Sequence, residues 1–261
     1  MTFLETIILG IVQGLTEFLP VSSSGHLAIA QNLLDISGPT FTFDLLLHLG
    51  TQIAVIVFFG KRIITLAKSV FKSTKSAVSI LLPLVLVTLP VIVVGLLFKD
   101  VIEGMFASMG FIALFYVITA GLLFSTKFLK EAKLNGKWEG MPWYKALGIG
   151  VFQAISTLPG ISRSGTTIIG GMYMGLIPSE AFEFSFLAGL ISVTGASVAE
   201  IFMANAAVTI GVAEIVGAAI AAIIGYLVLV LVWKVIKSGK FWYFGFYCLL
   251  VAGLATYLWL R

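Results

Sequence analysis

The residues most able to do chemistry in this chain lie within 13–26, which read QGLTEFLPVSSSGH. The stretch contains a carboxylate at Glu17, three consecutive serines at 22–24 and an imidazole at His26, next to a long apolar run. A carboxylate at membrane depth costs roughly 2.5–3.5 kcal/mol to insert, so such a residue normally has a partner or a function. Serine and glycine at a helix start present backbone N–H groups to an anion. The pattern therefore predicts an acid, an anion-binding turn and a titratable ring side by side.

A second stretch of this kind, LPGISRSGTT, occupies residues 158–167, and its only charged residue is Arg163. A guanidinium carries paired donors that match phosphate oxygens. If the two Ser/Gly-rich turns face each other, they form a site for a group with several negative charges, such as a diphosphate. Two other interpretations stay open. Glu17 and Arg163 could form a purely structural ion pair, and the small residues could serve only close helix packing.

The composition predicts an all-α polytopic membrane protein. Hydrophobic residues make up 59% of the 261 residues and charged residues only 11%, whereas a soluble domain has about 25% charged residues. The net charge of +4 is not a nucleic-acid signal, because the basic residues fall between the apolar segments. The single cysteine, Cys248, excludes an intramolecular disulfide. The first residues lack a basic region, so we expect no cleaved signal peptide.

Segment lengths predict two kinds of helix. A membrane span needs about 20 apolar residues, and the apolar segments that flank the two motifs are shorter and end at prolines. We therefore expect two re-entrant helical hairpins, at about 6–36 and 146–177, because broken backbone at membrane depth must be surrounded by protein or by a water-filled cavity. Three full spans should follow each hairpin, at about 41–59, 78–98, 105–124, 181–204, 212–233 and 241–260.

The two halves look like an internal repeat. At a shift of 140 residues Gln13 meets Gln153, Ser22 meets Ser162 and Gly25 meets Gly165. Three spans per half make an odd number of crossings, so the second half is expected to be inverted relative to the first, with the site between the halves. The predicted organisation is a first repeat at 1–126, a cytoplasmic linker at 127–145 and a second repeat at 146–261.

The basic residues predict the orientation in the membrane. Thirteen of the sixteen Lys and Arg residues lie in 61–75, 127–145 and 234–240. The positive-inside rule places these segments in the cytoplasm. Both termini and the loop at 99–103 are then extracytoplasmic, and the site opens outward.

Residues 13–26 resemble the first signature of the undecaprenyl-diphosphate phosphatases, the bacitracin-resistance membrane family, in which a Glu or Gln is followed four residues later by a Glu. Residues 158–167 are similar to that family's second signature, PGxSRSxxT. The resemblance covers the whole chain in length, hairpin placement and span count. It implies a plasma-membrane phosphatase that converts undecaprenyl or another polyprenyl diphosphate into the monophosphate and phosphate. That reaction recycles the lipid carrier for cell-wall synthesis and gives bacitracin resistance.

The resemblance also implies roles for individual residues. It assigns catalysis to Glu17, Ser23, His26 and Arg163, and a divalent cation, Mg²⁺ with Ca²⁺ as the alternative, to Glu17 and Gln13. Ser23 is our first candidate for the nucleophile because His26 follows one helical turn later, and His26 or a metal-activated water are the alternatives. We expect Glu17 to bind metal and to polarise His26. The hydroxyls and glycines of the two turns are the predicted phosphate-binding residues: Ser22, Ser24, Gly25, Ser162, Ser164, Gly165, Thr166 and Thr167.

Other residues and patterns bear on alternative functions and on supporting features. Inverted repeats with broken helices also occur in transporters, so a transporter or flippase for a polyprenyl phosphate or another anion is the alternative function. Phosphatases with a histidine nucleophile after an SR motif do not fit, because no histidine follows Arg163. His48 and Gln52 are expected to be supporting polar groups rather than ligands. A lipid-tail cleft is predicted beside the hairpins, lined by Phe18, Phe41, Phe43, Phe182, Phe184 and Phe186.

Overall fold

The chain is helical in its computed structural model, which describes residues 1–36, 40–129, 134–203 and 210–261. Short 3₁₀ turns at Thr126–Phe128 and Phe241–Tyr243 extend two of the helices. Within the described ranges the α-helices are α1 Phe3–Thr16, α2 Ser23–Leu33, α3 Phe41–Phe58, α4 Gly60–Lys72, α5 Thr74–Leu97, α6 Lys99–Phe106, α7 Met109–Ser125, α8 Trp143–Ile155, α9 Arg163–Tyr173, α10 Pro178–Met203, α11 Val212–Lys237 and α12 Phe244–Leu260.

Five of these helices are long and apolar enough to cross a membrane, namely α5, α7, α10, α11 and α12. The pair α3 and α4 is a sixth candidate, and its two helices are bent by 75° relative to each other at Phe59. Each candidate exposes large apolar side chains along its length, which is typical of helices that face lipid tails rather than water. The prediction of an all-α polytopic membrane protein is thereby confirmed.

One predicted boundary differs. The loop expected at 99–103 is part of α6, and the span expected at 105–124 begins only at Met109. Ser108 has extended backbone, with φ −116° and ψ 115°, and this breaks the apolar run into two helices. The sequence shows no proline or glycine at this break to mark it.

The helices around the two motifs form two short pairs. The first pair, α1 and α2, has 14 and 11 residues, and the second pair, α8 and α9, has 13 and 11. All four are shorter than the roughly 20 residues that cross a bilayer. The partners within each pair are in contact, so we call them the first and the second hairpin. Each hairpin places its polar turn where one helix ends and the next begins.

The two hairpins pack in a reciprocal way. Helix α1 of the first hairpin lies against α11, whereas α8 of the second hairpin lies against α5. A Cβ added at Gly10 would lie 2.8 Å from the carbonyl oxygen of Gly217, and one added at the matching Gly150 would lie 2.8 Å from that of Val87. These two glycines allow backbones to approach closely, as is usual for membrane helices.

The linker is fastened to both halves by polar contacts. Arg62 of α4 pairs with Glu139 of the linker and with Glu183 of α10. The fully buried Trp138 donates from Nε1 to Glu183 Oε1 at 2.8 Å. An ion pair with several members is harder to break than an isolated surface pair. The contact therefore holds one end of the bundle together.

The predicted phenylalanine cleft is wrong for the residues that can be assessed. Phe18, Phe182, Phe184 and Phe186 are 0% exposed and Phe43 is 3% exposed, while the side chain of Phe41 lies outside those described. The rings pack on one another instead, with centroids 5.5 Å apart for Phe18 and Phe186. Aromatic pairs at such distances stabilise a core beyond their buried area. These residues therefore hold the helices around the site rather than line an opening to lipid.

Candidate active site

The turn of the first hairpin is strained. Glu17 follows the last residue of α1, and Ser22 precedes α2 as its N-cap, accepting the N–H of Gly25 at 3.3 Å. Ser22 has φ 63° and ψ 99°, whereas the matching Ser162 of the second hairpin has φ −77°. A non-glycine residue in this region costs about 1–3 kcal/mol and is concentrated at functional sites. The two turns are therefore alike in sequence but differ in backbone.

Glu17 is the centre of the polar contacts. Its side chain is only 5% exposed, and its Oε2 atom accepts a 2.6 Å hydrogen bond from Ser23 Oγ and one of 3.1 Å from Gln13 Nε2. The other oxygen, Oε1, accepts from Arg163 Nη2 at 3.0 Å. A buried carboxylate needs such partners because desolvation of the charge is costly. The structure thus brings together three of the four predicted catalytic residues.

Arg163 reaches Glu17 from the second hairpin because α10 makes room for it. Arg163 is the first residue of α9, and its Nη1 atom lies 3.5 Å from the carbonyl oxygen of Ser185. A Cβ added at Gly189 would collide with the guanidinium, so any other residue there would displace the Arg163 side chain from this position. The predicted approach of the two turns is confirmed by this ion pair. The same ion pair is what the structural interpretation predicts.

His26 occupies a different position from the one expected. Its Nδ1 atom lies 2.8 Å from the carbonyl oxygen of Ser22 and 2.7 Å from the hydroxyl of Tyr116, and Nε2 lies 2.9 Å from the hydroxyl of Tyr247. A carbonyl oxygen only accepts, so Nδ1 carries the proton and Nε2 is the acceptor. Tyr116 also donates to Ser22 at 3.1 Å. The ring is therefore held in one tautomer from both sides.

The expectation that Glu17 polarises His26 is wrong in this arrangement. Glu17 makes its described polar contacts with Gln13, Ser23, His48 and Arg163. None of the described contacts of His26 is to Glu17 or Ser23. One helical turn separates Ser23 from His26, but the imidazole turns towards α7 and α12. Ser23 has a carboxylate beside it instead, and a carboxylate is also a competent proton acceptor.

The predicted phosphate-binding residues divide into two groups. In the first hairpin, Ser23 and Ser24 are partly exposed, and Ser22 Oγ lies 3.3 Å from Ser24 Oγ. In the second hairpin, the hydroxyls are buried and bonded to the protein's own groups. Ser164 Oγ donates to Leu19 O at 3.2 Å, for example, and Thr166 Oγ1 to Ser162 O at 2.9 Å. Their role towards phosphate stays a prediction, as do those of Ser162, Gly165 and Thr167.

His48 belongs to the site, although sequence reasoning ranked it as a supporting group. Its Nδ1 atom lies 3.0 Å from Gln13 Nε2 and 3.5 Å from Glu17 Oε2, and its side chain is 30% exposed. A histidine inside an apolar span could have signalled this, but the sequence does not show that α3 passes beside α1. Tyr116 and Tyr247 were missed for the same reason, since aromatic residues on spans carry no local sign of function.

The donor atoms around Glu17 determine whether the site can hold a metal ion. The described residues contain no cluster of three or more His, Cys, Asp or Glu side chains suited to a metal. Gln13 nevertheless is 0% exposed, and its Oε1 atom has no hydrogen-bond partner among the described atoms. A buried amide oxygen without a partner costs about 1–3 kcal/mol. That oxygen and the Glu17 carboxylate are donors of the type that Mg²⁺ and Ca²⁺ prefer, so the residues fit such an ion.

Comparisons with known proteins show the family of the chain. Residues 6–254 match the family model described as bacitracin resistance protein BacA. The chain is 41% identical over 263 residues to the undecaprenyl-diphosphatase of Syntrophotalea carbinolica, a match that covers 97% of this chain and 98% of the relative. It is 40% identical over 250 residues to the undecaprenyl-diphosphatase of Methanococcus maripaludis strain C7, covering 95% of this chain and 97% of the relative. The chain belongs to the bacitracin resistance protein BacA family.

Proposed function

We propose that the chain is an integral membrane undecaprenyl-diphosphatase that hydrolyses a polyprenyl diphosphate to the monophosphate and phosphate. The reaction recycles the lipid carrier for cell-wall synthesis. One observation carries the proposal beyond family membership: Glu17 bridges Ser23 of the first hairpin and Arg163 of the second, with hydrogen bonds of 2.6 and 3.0 Å. Phosphoryl transfer through a covalent intermediate needs a nucleophilic hydroxyl, a base that accepts its proton and a fixed positive charge, and these three groups meet here.

The mechanism that this geometry supports uses Ser23 as nucleophile. Glu17 accepts the proton of Ser23 as Oγ attacks the terminal phosphorus, and the bond from that phosphorus to the bridging oxygen breaks. The polyprenyl monophosphate leaves, and water then hydrolyses the phosphoserine and releases phosphate. Arg163 stabilises the negative charge on the transferred group, because its guanidinium matches phosphate oxygens and stays protonated. The Ser/Gly turns would supply backbone N–H donors.

The role of His26 in this mechanism is to hold or donate a proton near the turn. Tyr116 and Ser22 fix the proton on Nδ1, which leaves Nε2 available once the Tyr247 hydroxyl moves aside. His26 is partly exposed, so a bound diphosphate can reach that nitrogen. Once Nε2 takes up a proton, the imidazolium can donate it to the leaving oxygen, and such general acid catalysis contributes about 10²–10⁴-fold.

A divalent cation, Mg²⁺ or Ca²⁺, is proposed as cofactor, with Glu17 and Gln13 as ligands. The orphaned Gln13 oxygen and the Glu17 carboxylate support this assignment. When bound, the ion supplies neutralisation of the phosphate charge, which assists transfer of the phosphoryl group.

The test of the function is phosphate release by the purified protein. Farnesyl diphosphate with Mg²⁺ should yield phosphate in the wild type, and Arg163→Ala should reduce the rate by about 10³-fold because the transition-state cation is lost. Arg163→Lys keeps the positive charge but not the paired donors of the guanidinium, so its rate should lie between those of the wild type and Arg163→Ala. No release above the Arg163→Ala background would sink the proposal and leave transport of a polyprenyl phosphate as the function to test.

The inverted repeat and the orientation are part of the same proposal. The reciprocal packing of α1 on α11 and α8 on α5 supports two inverted halves, each with a re-entrant hairpin. The positive-inside rule then places both termini outside, the 127–145 linker inside and the site towards the outer face of the plasma membrane. Cysteine labelling in a Cys248→Ser background tests this. A linker that is labelled only from outside would reverse the orientation.

A further inference from the structure

We infer that His48 is a third ligand of the divalent cation, through Nδ1, beside the side chains of Gln13 and Glu17. The inference rests on the proposed function for the presence of a cation, and it adds a nitrogen donor from a different helix. Glu17 is the C-cap of α1 and keeps helical backbone, so it shares one face with Gln13 four residues earlier. His48 approaches that face from α3.

The separations between the three side chains are those of ligands around one ion. Gln13 Nε2 lies 3.1 Å from Glu17 Oε2 and 3.0 Å from His48 Nδ1, and Nδ1 lies 3.5 Å from Oε2. Neighbouring ligands of an octahedral ion with bonds of about 2.1 Å are about 3 Å apart, and they are somewhat further apart around the larger Ca²⁺. The three groups therefore form one triangular face of a coordination shell.

The orientation of the Gln13 amide explains why its Oε1 atom has no hydrogen-bond partner among the described atoms. In the structure the amide nitrogen faces both Glu17 Oε2 and His48 Nδ1, which leaves the oxygen without a partner. Turning the amide by about 180° places Oε1 where Nε2 now lies. Three electron-pair donors would then converge, and a cation bound among them removes their mutual repulsion. Ligation thus satisfies the Gln13 oxygen, which has no hydrogen-bond partner among the described atoms.

The position of this triangle suits the reaction. Ser23 Oγ donates to the same Glu17 oxygen, while Arg163 binds the other one. His48 is 30% exposed at its side chain, so the triangle has access from outside the packed core. A set of two oxygens and one imidazole also predicts a metal preference. Nitrogen ligands suit Mn²⁺ and later first-row metals better than Ca²⁺.

Pulsed electron paramagnetic resonance of Mn²⁺ bound to the full chain in lipid nanodiscs tests the inference directly. Nuclear modulation from a coordinated histidine nitrogen should be present in the wild type and absent in His48→Ala. The dissociation constant for Mn²⁺ should rise about tenfold or more, as expected when a metal site loses a supporting group. His48→Gln keeps a polar side chain and should also lose the nitrogen signal, so that its result does not depend on the fold of the alanine variant.

His26→Ala is the matched control, because it removes the other histidine of the chain. It should retain the nitrogen signal and the Mn²⁺ affinity. Persistence of the signal in His48→Ala, its loss in His26→Ala, or bound Mn²⁺ with no nitrogen coupling in the wild type would each overturn the inference. A wild type that shows the His48 signal but releases no phosphate would refute the proposed function and support the metal site. Phosphate release by a wild type that shows no nitrogen signal would refute the metal site and support the proposed function.

Discussion

Ser23 and Glu17 are joined by a 2.6 Å hydrogen bond, and this contact predicts the effect of removing the hydroxyl. If Ser23 is the nucleophile, Ser23→Ala should lower kcat by about 10³-fold or more, because no covalent intermediate can form. Ser192→Ala is a matched control, since that hydroxyl bonds only to Gly189 O of its own helix among the described contacts. Phosphate release with farnesyl diphosphate measures both. A Ser23→Ala rate within about tenfold of the wild type would assign Ser23 to phosphate binding alone.

His26 depends on Tyr116 for its tautomer, and this too can be measured at the residue scale. Tyr116→Phe removes the hydroxyl that contacts both Nδ1 and Ser22 O. We expect kcat to fall about tenfold with KM little changed, which corresponds to the roughly 1–1.5 kcal/mol of one neutral hydrogen bond. Tyr257→Phe on the exposed surface of α12 should leave both constants unaltered. A change confined to KM would mean that Tyr116 shapes the binding site rather than the imidazole.

At the scale of elements, α10 determines where the Arg163 guanidinium can lie. Gly189→Ala places a methyl group against the guanidinium, whereas Gly195→Ala, on the same helix, meets nothing within 4 Å. The first variant should displace Arg163 from Glu17 and lower kcat by about 10²-fold, since small displacements of a catalytic group have effects of that size. The second should be active and more stable by up to about 1 kcal/mol, because alanine is the better helix former.

Rates of phosphate release and thermal unfolding in detergent compare the two variants. Equal activity of Gly189→Ala and Gly195→Ala would show that the guanidinium tolerates displacement. The ion pair with Glu17 would then be structural, which is the interpretation that the sequence left open. Breaking a buried ion pair typically costs about 3–5 kcal/mol, so the unfolding measurement also reports whether the pair persists in Gly189→Ala.

At the scale of the whole molecule, the packed phenylalanines form no cleft for the lipid tail. We therefore expect the tail to lie along the outer surface of the helices. A lipid tail held by apolar contacts gains about 0.8 kcal/mol of binding free energy per buried CH₂. Such contacts discriminate only weakly between chain lengths. We therefore expect both C15 and C55 diphosphates to be hydrolysed, with the longer chain favoured through KM more than through kcat. A chain-length series in detergent provides the measurement. If the C15 diphosphate competes but is never hydrolysed, the tail takes part in assembling the site.

The sequence by itself determined the class of fold and predicted most of the residues of the candidate site. Apolar segment lengths, the two short hairpin segments and the approach of Glu17 and Arg163 all follow from local composition and spacing, and the helices of the structure agree. Family signatures are contiguous in the chain, so they too could be found without coordinates. Boundaries such as Ser108 could not, because one serine that can cap a helix does not by itself show where a new helix begins.

Only the tertiary structure decided how the side chains pair. Glu17 binds Ser23 rather than His26, and His26 turns instead to Tyr116 and Tyr247, which are 90 and 221 residues away in the chain. His48 reaches the site across 35 residues from Gln13. Helical spacing fixes which residues share a face of one helix, but which face meets which is set by packing between helices. The phenylalanines near the hairpins became core for the same reason.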